Sequence, residues 1–422
     1  MQDSTIAIII LCATIVLYIS DKLPLSVATM LAVIAMGITG VLPWDLAFSG
    51  FSSVTTLMIV GMLIMGEAFF AMGFAESLGH SLLRFSHLGE KKMLLILFVV
   101  AGITSIFFNG TVIMAVLMPV IDTMAMQSNG VITRKGLYLS TAIGTVLGAN
   151  LSIIGSSSML LSVNTLREST GIQMAMFEPA LVSLPAFAAG FLIYLTFGYR
   201  FQQRCLDFPD RPPRTASSPE AVSEEHPRWR KAVCLATFGV CMICFLIQAA
   251  DMAAISIIGA TVLLATGCIR ASTAYHNLSW DTIIVVGGSI GFAAGIEHSG
   301  AAQVIADGIL DLMGENTGPF ALCVVIMFIS TLLSNVLSNT STVAILMPIT
   351  LIMASSFGAN PIPFTMAVAV GANLSLATPI SVATVTMTMI AGYRFKDFAR
   401  IGGLINVVTF VVTVAAMKVV YF

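Results

Sequence analysis

Apolar stretches long enough to cross a bilayer follow one another along the whole chain, and short polar segments interrupt them. We predict full spans near residues 5–20, 24–42, 53–74, 179–199, 231–248, 253–269, 282–297 and 401–420. Two further regions, 93–126 and 318–356, consist of two short apolar arms joined by a polar tip. Each arm of the first region is shorter than the roughly 20 residues that a crossing needs. Non-helical backbone at membrane depth must be buried in protein or line a cavity, so we predict two re-entrant hairpins.

Three landmarks occur twice in the same order, which indicates an internal duplication. The repeated strings are Trp44-Asp45 and Trp280-Asp281, Asn109-Gly110-Thr111 and Ser338-Asn339-Thr340, and Gly148-Ala149-Asn150-Leu151-Ser152 and Gly371-Ala372-Asn373-Leu374-Ser375. Each polar tip is followed by Leu-Met-Pro, which ends at Pro119 and at Pro348. We therefore expect an N-terminal repeat half at 1–200, a cytoplasmic linker at 201–230 that is rich in proline and charge, and a C-terminal half at 231–422.

Polar residues break one further span in each half, at 137–166 and at 362–390. With these two broken helices the count is about ten full spans and two hairpins, with short pieces at 75–87 and 301–313 along the interface. The basic residues can all be cytoplasmic if each hairpin returns to the side that it entered, and the two halves are then inverted. They are Lys22, Arg84, Lys91, Lys92, Arg134, Lys135, Arg200, Arg204, Arg228, Arg230, Lys231, Arg270, Arg394, Lys396 and Arg400.

Composition places the chain among polytopic helical membrane proteins. Of its 422 residues, 57% are hydrophobic and 9% are charged, and the mean hydropathy is +0.98, whereas soluble proteins are about a quarter charged. The first residues lack the basic region of a cleavable signal, so the first span is expected to remain. No basic patch suggests nucleic acid, and no phosphate-binding loop or helical zinc motif suggests an enzyme. The expected surroundings are the lipid bilayer of the cell inner (plasma) membrane.

Inverted repeats with helices broken at the midplane are typical of secondary active transporters. The broken ends expose N–H groups that can hold an anion and C=O groups that can hold Na⁺. We therefore expect both tips and both broken helices to converge on one site. A channel is less favoured, because two opposed re-entrant hairpins fit alternating access better.

Ionisable residues within the spans are few, and they leave an alternative open. They are Glu67, Asp122, Glu297 and His298. The last three lie near predicted span ends, where they can reach the interface, whereas Glu67 lies deeper. Glu67 is either a structural hydrogen-bonding partner or a proton carrier, and in the second case the chain is a cation/proton antiporter.

Several motifs resemble those of the divalent anion/sodium symporters of the ion-transporter superfamily. The resemblance lies in Ser338-Asn339-Thr340 with its Leu-Met-Pro, in the stretch through Thr378-Pro379-Ile380, in 392–398 and in Phe177-Glu178-Pro179, and it covers about residues 45–400. It implies an elevator mechanism, in which a transport domain slides against a scaffold within a homodimer. It also implies dicarboxylates or sulfate as substrates, with Na⁺ coupling or anion exchange.

On this basis we assign candidate site residues to the tips and the breaks. The predicted substrate-binding residues are Asn109, Gly110, Thr111, Ser157, Ser338, Asn339, Thr340, Thr378 and Pro379. The predicted ligands of Na⁺ as coupling ion are Asn109, Gly155, Ser156, Asn339, Ala377 and Ser381, and no other cofactor is expected.

The chain departs from the family pattern at the first tip, where Gly110 replaces an asparagine, and after both breaks, where Ser158-Met159 and Thr384-Val385 replace Thr-Asn. These changes remove amide groups, so we expect the cation site at the first tip to be weaker or absent. The chain should then couple to fewer cations, with a sodium Hill coefficient below about two, or exchange anions without a cation. Gly110→Asn should then sharpen the sodium dependence, unless the tip requires φ > 0 at that position.

Overall fold

The computed structural model describes residues 3–20, 23–73, 82–83, 88–128, 130–210, 227–247, 249–278, 280–301, 303–304, 308, 318–335, 337–379 and 382–422. This part of the chain is all helical and contains no strand. The predicted interfacial pieces at 75–87 and 301–313 fall largely outside it, and so does Ser381.

The first half follows the predicted order of elements. Its helices are α1 (Asp3–Ser20), α2 (Leu25–Ile38), α3 (Trp44–Ala47), α4 (Val54–Ala71), α5 (Glu90–Ser105), α6 (Gly110–Gln127), α7 (Arg134–Ala149), α8 (Ser157–Thr170), α9 (Ala180–Ile193) and α10 (Tyr199–Cys205). Helices α5 and α6 form the two arms of the first hairpin, and α7 and α8 form the first broken helix.

The second half repeats this order. Its helices are α11 (Arg228–Leu246), α12 (Met252–Ala265), α13 (Ala271–Asn277), α14 (Trp280–His298), α15 (Pro319–Ser334), α16 (Asn339–Ser356), α17 (Pro361–Asn373), α18 (Ala383–Met387), α19 (Phe395–Asp397) and α20 (Gly403–Tyr421). Helices α15 and α16 form the second hairpin, and α17 and α18 form the second broken helix. Both hairpins have arms of 16 and 18 residues.

The helices pack in two groups. In the hairpin group, α5 lies on α7, α15 and α16 lie on α17, α9 lies on α20, and α8 of the first half contacts both α16 and α17 of the second. In the flanking group, α4 packs on α12, α2 packs on α14, and α1 and α11 cover these pairs. The two breaks and the two hairpin tips therefore lie within one group.

Glycines let the first hairpin approach the first broken helix closely. A Cβ atom on Gly144 would lie 2.5 Å from the carbonyl oxygen of Phe98, and one on Gly148 would lie 2.2 Å from that of Gly102. Small residues of this kind allow the backbones of membrane helices to pack together. This contact fixes the first tip against the first break.

Five described helices are long and apolar enough to cross a membrane. They are Gly110–Gln127, Ala180–Cys205, Arg228–Leu246, Asn339–Ser356 and Phe395–Tyr421. Six shorter apolar helices accompany them, so the chain is a multi-pass membrane protein by composition and helix length. The count of ten spans, the re-entry of the hairpins and the inversion of the halves stay predictions.

The first residues of the predicted linker, 201–210, make contacts with the rest of the fold. Helix α10 continues to Cys205, and Phe208 is buried with its ring 5.7 Å from that of Tyr393. The carboxylate of Asp210 accepts hydrogen bonds from the backbone N–H groups of Arg134 and Lys135, at 3.0 and 3.2 Å. Residues 201–210 thus belong to the fold, because they cap and cover the start of the first broken helix.

Candidate functional site

A polar cavity of about 240 Å³ lies where the two tips meet the two breaks. The residues that line it are Asn109, Gly110, Thr111, Thr145, Val146, Ala149, Gly155, Ser156, Ser157, Ser158, Ser338, Asn339, Thr340, Asn373, Val382, Ala383 and Thr384. None of these lining residues is charged. The structure therefore brings together most of the predicted site residues, from both halves of the chain.

Three helices begin at the cavity wall, and each has a polar N-cap. The Oδ1 atom of Asn109 accepts from the N–H of Thr111 at 2.9 Å, Ser156 Oγ accepts from Met159 at 3.2 Å, and Ser338 Oγ accepts from Ser341 at 3.1 Å. The helices that follow have 18, 14 and 18 residues. Their N-termini bring partial positive charge to a cavity that has no basic side chain.

Several donors at these ends remain available. Within the described residues, the N–H groups that open the three helices, at Gly110, Ser157 and Asn339, have no backbone acceptor. The hydroxyl groups of four lining residues likewise have no hydrogen-bond partner in the described chain, and they belong to Thr111, Ser157, Thr340 and Thr384. Unpaired N–H and O–H donors at helix N-termini form a ready-made anion site.

One buried amide ties the two halves together behind these donors. The Nδ2 atom of Asn373 donates to Asn150 Oδ1 at 2.5 Å and to Ser156 Oγ at 2.9 Å. Its Oδ1 atom accepts from Ser158 Oγ at 2.6 Å and from Asn339 Nδ2 at 2.9 Å. An amide has two donors and two acceptor sites, so Asn373 is saturated. Asn150 and Asn373 occupy the same position of the repeated motif, and they bond directly to each other.

The side chain of Asn339 is also held by the protein. Besides its bond to Asn373, its Oδ1 atom accepts from Ser334 Oγ at 2.7 Å and from Ser375 Oγ at 2.9 Å. Asn339 therefore fixes the second tip against the second break. The groups that this tip offers to the cavity are its backbone N–H and the side chain of Thr340.

The first tip is built differently because Gly110 has no side chain. A Cβ atom at this position would lie 2.8 Å from Cγ2 of Thr145 and 3.2 Å from Oγ1 of Thr384. The φ angle of Gly110 is not positive, so the exception that a left-handed tip would have made for Gly110→Asn does not arise. Close packing is the reason for glycine here. Nearby, Ser105 Oγ is fully buried and has no partner among the described residues.

The second break meets the cavity further along the chain than predicted. Ala377, Thr378 and Pro379 are not among the lining residues, and Val382, Ala383 and Thr384 line it instead. The Thr378 hydroxyl donates to the carbonyl oxygen of Asn335 at 2.8 Å, and the Thr386 hydroxyl donates to that of Pro379. These bonds hold the non-helical segment against the second hairpin. Ser381 lies outside the described residues.

Sequence reasoning missed four residues of the site, Asn150, Asn373, Thr145 and Thr384. The repeated Gly-Ala-Asn-Leu-Ser motif carried a signal for the two asparagines, because it placed one amide at each break. Nothing in the sequence singled out Thr145, and Thr384 stood out only because Thr384-Val385 departs from the family pattern after the second break. Of the predicted intramembrane charges, Asp122 forms an ion pair with Arg134 at 2.5 Å and accepts from the Tyr138 hydroxyl, far from the cavity lining.

Comparisons with known proteins agree on a transporter. The profile of the family described as citrate transporter matches residues 15–311 and 242–422. An uncharacterized transporter of Synechocystis sp. is 33% identical over 39% of this chain and 27% of its own length. The sodium-dependent high-affinity dicarboxylate transporter 3 of Caenorhabditis elegans is 22% identical over 96% of this chain and 81% of that protein. Sodium/sulfate cotransporter 1 of Chlamydomonas reinhardtii is 29% identical over 39% of this chain and 19% of that protein.

The alignments to the Synechocystis transporter and to the uncharacterized transporter YfbS of Escherichia coli (28% identical) span only 27% and 33% of those proteins' lengths. Among solved structures, the Alcanivorax borkumensis YdaH transporter superposes with a TM-score of 0.63 at 14% identity, and the match covers 89% of this chain and 87% of that chain. This likeness shows that the helical fold is shared with a transporter.

Proposed function

Because the chain belongs to the citrate transporter family, within the divalent anion/sodium symporters, we propose that it is a secondary active transporter of small divalent or carboxylated anions. The substrate class is dicarboxylates or sulfate-like dianions, and Na⁺ is the coupling ion. The single observation that carries this proposal is the convergence of three helix N-termini on one uncharged cavity.

The cavity suits a dianion without a cationic side chain. Each helix N-terminus is equivalent to roughly half a positive charge, and its effect is strongest within the first turn. The donors come from both halves of the chain, with Gly110 and Ser157 from the first and Asn339 and Thr340 from the second. An anion with two acidic groups can therefore bond to both halves at once. The cavity volume of about 240 Å³ supports a small solute.

Alternating access would come from motion of the hairpin group against the flanking group. Four observed bonds of Asn373 join both breaks and the second tip, so the site can move as a unit. Contacts between the two groups are sparse compared with contacts within each group. This arrangement supports the elevator mechanism that we propose. In a homodimer, the flanking groups of the two copies would form the fixed scaffold in the plasma membrane.

Sodium would bind more weakly in the second half than the predicted ligands suggest. The side-chain oxygen of Asn339 already accepts two hydrogen bonds. In the first half, the buried hydroxyl of Ser105 has no partner in the described chain and lies beside Gly110. We therefore propose a cation near the first tip and none at the second, which reverses the sequence expectation of a weaker first site and keeps only the low sodium stoichiometry.

A ligand panel scored by thermal unfolding tests the proposal. Purified protein would be melted with sulfate, succinate or citrate, each with and without Na⁺. A ligand that binds the folded state stabilises it by about 2.7 kcal/mol at a hundredfold excess over Kd. We expect at least one dianion to raise the melting temperature, more strongly with Na⁺ present. Equal melting temperatures with every anion, at concentrations up to saturation, would contradict the proposal.

The matched variants are Thr340→Val and Thr365→Val. Thr340 lines the cavity, whereas Thr365 is buried at the far end of α17 and bonds to the carbonyl oxygen of Pro361. Anion-induced stabilisation should be lost in the first and kept in the second.

A further inference from the structure

A second, smaller cavity of about 70 Å³ lies between α4 and the tip of the first hairpin. We call it the side cavity. Its lining residues are Ile59, Met62, Leu63, Gly66, Glu67, Phe107, Phe108, Asn109, Val112, Ile154, Ser157 and Leu160. The lining is mostly apolar, and Glu67 is its only charged member among these residues.

The side cavity and the anion cavity share a wall. Asn109 and Ser157 line both of them. Asn109 is the N-cap of α6 and Ser157 is the first residue of α8, and both helices begin at the anion site. Glu67 is therefore separated from the anion site by the thickness of that wall. Among the described lining residues of both cavities, no other side chain carries a charge.

The carboxylate has one polar contact and no counter-charge in the described chain. Its Oε2 atom accepts from Asn277 Nδ2 at 3.2 Å, and Asn277 is exposed. Neither described ion pair includes Glu67. Glu67 thus stands between an apolar cavity and an exposed polar residue, on a side of the carboxylate that is open to solvent protons.

The elements packed on α4 are α11, α12, α13, α14 and the turn Ser49–Ser52. Helix α12 and that turn carry no titratable side chain. The titratable groups on the other three are Arg228, Arg230, Lys231, Cys234, Cys241, Cys244, Tyr275, His276, Asp281, Glu297 and His298. Only Asn277, next to His276, contacts the Glu67 carboxylate among the described residues.

An ionised carboxylate beside a dianion is unfavourable. Like charges repel strongly when little water separates them, and no basic side chain is present among the described lining residues of the two cavities to offset the effect. Protonation of Glu67 removes this repulsion, so proton binding and anion binding assist each other. Thermodynamic linkage requires that the assistance is reciprocal.

We propose that Glu67 is a proton-binding residue in the wall of the site, and that its protonation sets the affinity for the anion. This inference rests on the proposed anion transport. It adds a residue of the flanking group, on α4, that controls the affinity for the anion. Glu67 touches neither the anion nor the tips' donors, so it acts through charge. The anion is bound tightly when Glu67 is neutral and weakly when Glu67 is ionised.

The test is the pH dependence of sulfate uptake in proteoliposomes, because sulfate keeps its charge of −2 from about pH 5.5 to 8. In the wild type, the KM for sulfate should rise with pH by up to about tenfold per unit once Glu67 ionises. Glu67→Gln should keep the low KM of the acidic condition at every pH. The control is Glu297→Gln, an exposed carboxyl at the end of α14, which should retain the wild-type profile.

Two results would overturn the inference alone: a wild-type KM that does not change with pH, or a pH profile in Glu67→Gln equal to that of the wild type. Absence of any anion uptake by folded wild-type protein, at every pH, would instead reject the proposed function. If Glu67→Gln does not fold, the wild type alone decides. Its stabilisation by sulfate must then weaken as pH rises, and a constant stabilisation would overturn the inference.

Discussion

Replacing Gly110 with alanine should damage the site through one identifiable contact. The added Cβ atom would lie 2.8 Å from Cγ2 of Thr145, well inside van der Waals contact. Thr145 cannot simply rotate away, because its hydroxyl donates to the carbonyl oxygen of Thr141 at 2.8 Å. Overpacking of this kind costs about 1–3 kcal/mol, so Gly110→Ala should unfold at lower temperature and take up less anion.

The Cγ2 methyl group of Thr145 can be removed separately. Thr145→Ser removes Cγ2 and keeps the hydroxyl, so the double variant Gly110→Ala with Thr145→Ser should regain most of the lost stability and uptake. Gly403→Ala is the control, since the nearest atom to its new Cβ lies at 4.0 Å and we expect no effect. Thermal unfolding and proteoliposome uptake would be measured for all four proteins. The reasoning is refuted if Gly110→Ala is neutral, or if Thr145→Ser gives no rescue.

Three further variants probe other contacts. Thr340→Val removes a hydroxyl that lines the cavity and keeps the shape of the side chain. Losing a hydrogen bond to a charged ligand costs about 1.5–3 kcal/mol, so KM should rise roughly tenfold or more while the protein still folds. Wild-type uptake kinetics would count against Thr340 as a ligand. Asn373→Leu removes four hydrogen bonds, two of them to the buried side chains of Asn150 and Ser158, so we expect at least about 2 kcal/mol of lost stability. A wild-type melting curve would argue against the bond between the two halves. Burial alone would raise the pKa of Asp251, but the hydrogen bond and charge of Arg167 lower it overall. Its stabilisation is therefore present above the unfolded pKa of about 4 and lost as pH falls further. Because the pair is partly exposed, its contribution to the free energy of unfolding should be below about 1 kcal/mol. Arg167→Gln should remove the part of the acid destabilisation that comes from this pair. An unchanged dependence of stability on pH in that variant would refute the pairing.

The order of elements could be predicted because it depends on local sequence. Short apolar arms flank both tips, and the helices begin where the polar caps Asn109 and Ser338 stand. The repeated motif around Asn150 and Asn373 lies where α7 and α17 end, at Ala149 and Asn373. Each of these signals lies within a few residues of the feature that it specifies.

The side-chain partners could not be predicted because they depend on packing between the halves. The bond between Asn150 and Asn373 joins residues 223 positions apart. Thr384 reaches the first tip only because Gly110 leaves space for it. The displacement of Thr378 from the cavity follows from its bond to the carbonyl oxygen of Asn335, which no local pattern encodes.

The contacts of the first residues of the predicted linker could not be predicted either, for a similar reason. Proline and charge in 201–230 indicated a loop, and they said nothing of contacts made by its first residues. Asp210 caps the start of α7 through two backbone N–H groups, and Phe208 packs on Tyr393 from the other half. Tertiary contacts therefore hold residues 201–210, which the composition alone assigns to the linker.

Flux across a membrane tests the central claim most directly. Proteoliposomes would be loaded without substrate and given labelled sulfate or succinate outside, with an inward Na⁺ gradient, no gradient, or internal unlabelled anion. The account predicts saturable uptake of at least one of these dianions, stimulated by the Na⁺ gradient with a Hill coefficient below about two or by exchange against internal anion. Thr340→Val should raise the KM of this uptake roughly tenfold or more. Absence of uptake for every dianion by folded protein, or uptake that does not saturate and proceeds as single-channel current, would contradict it.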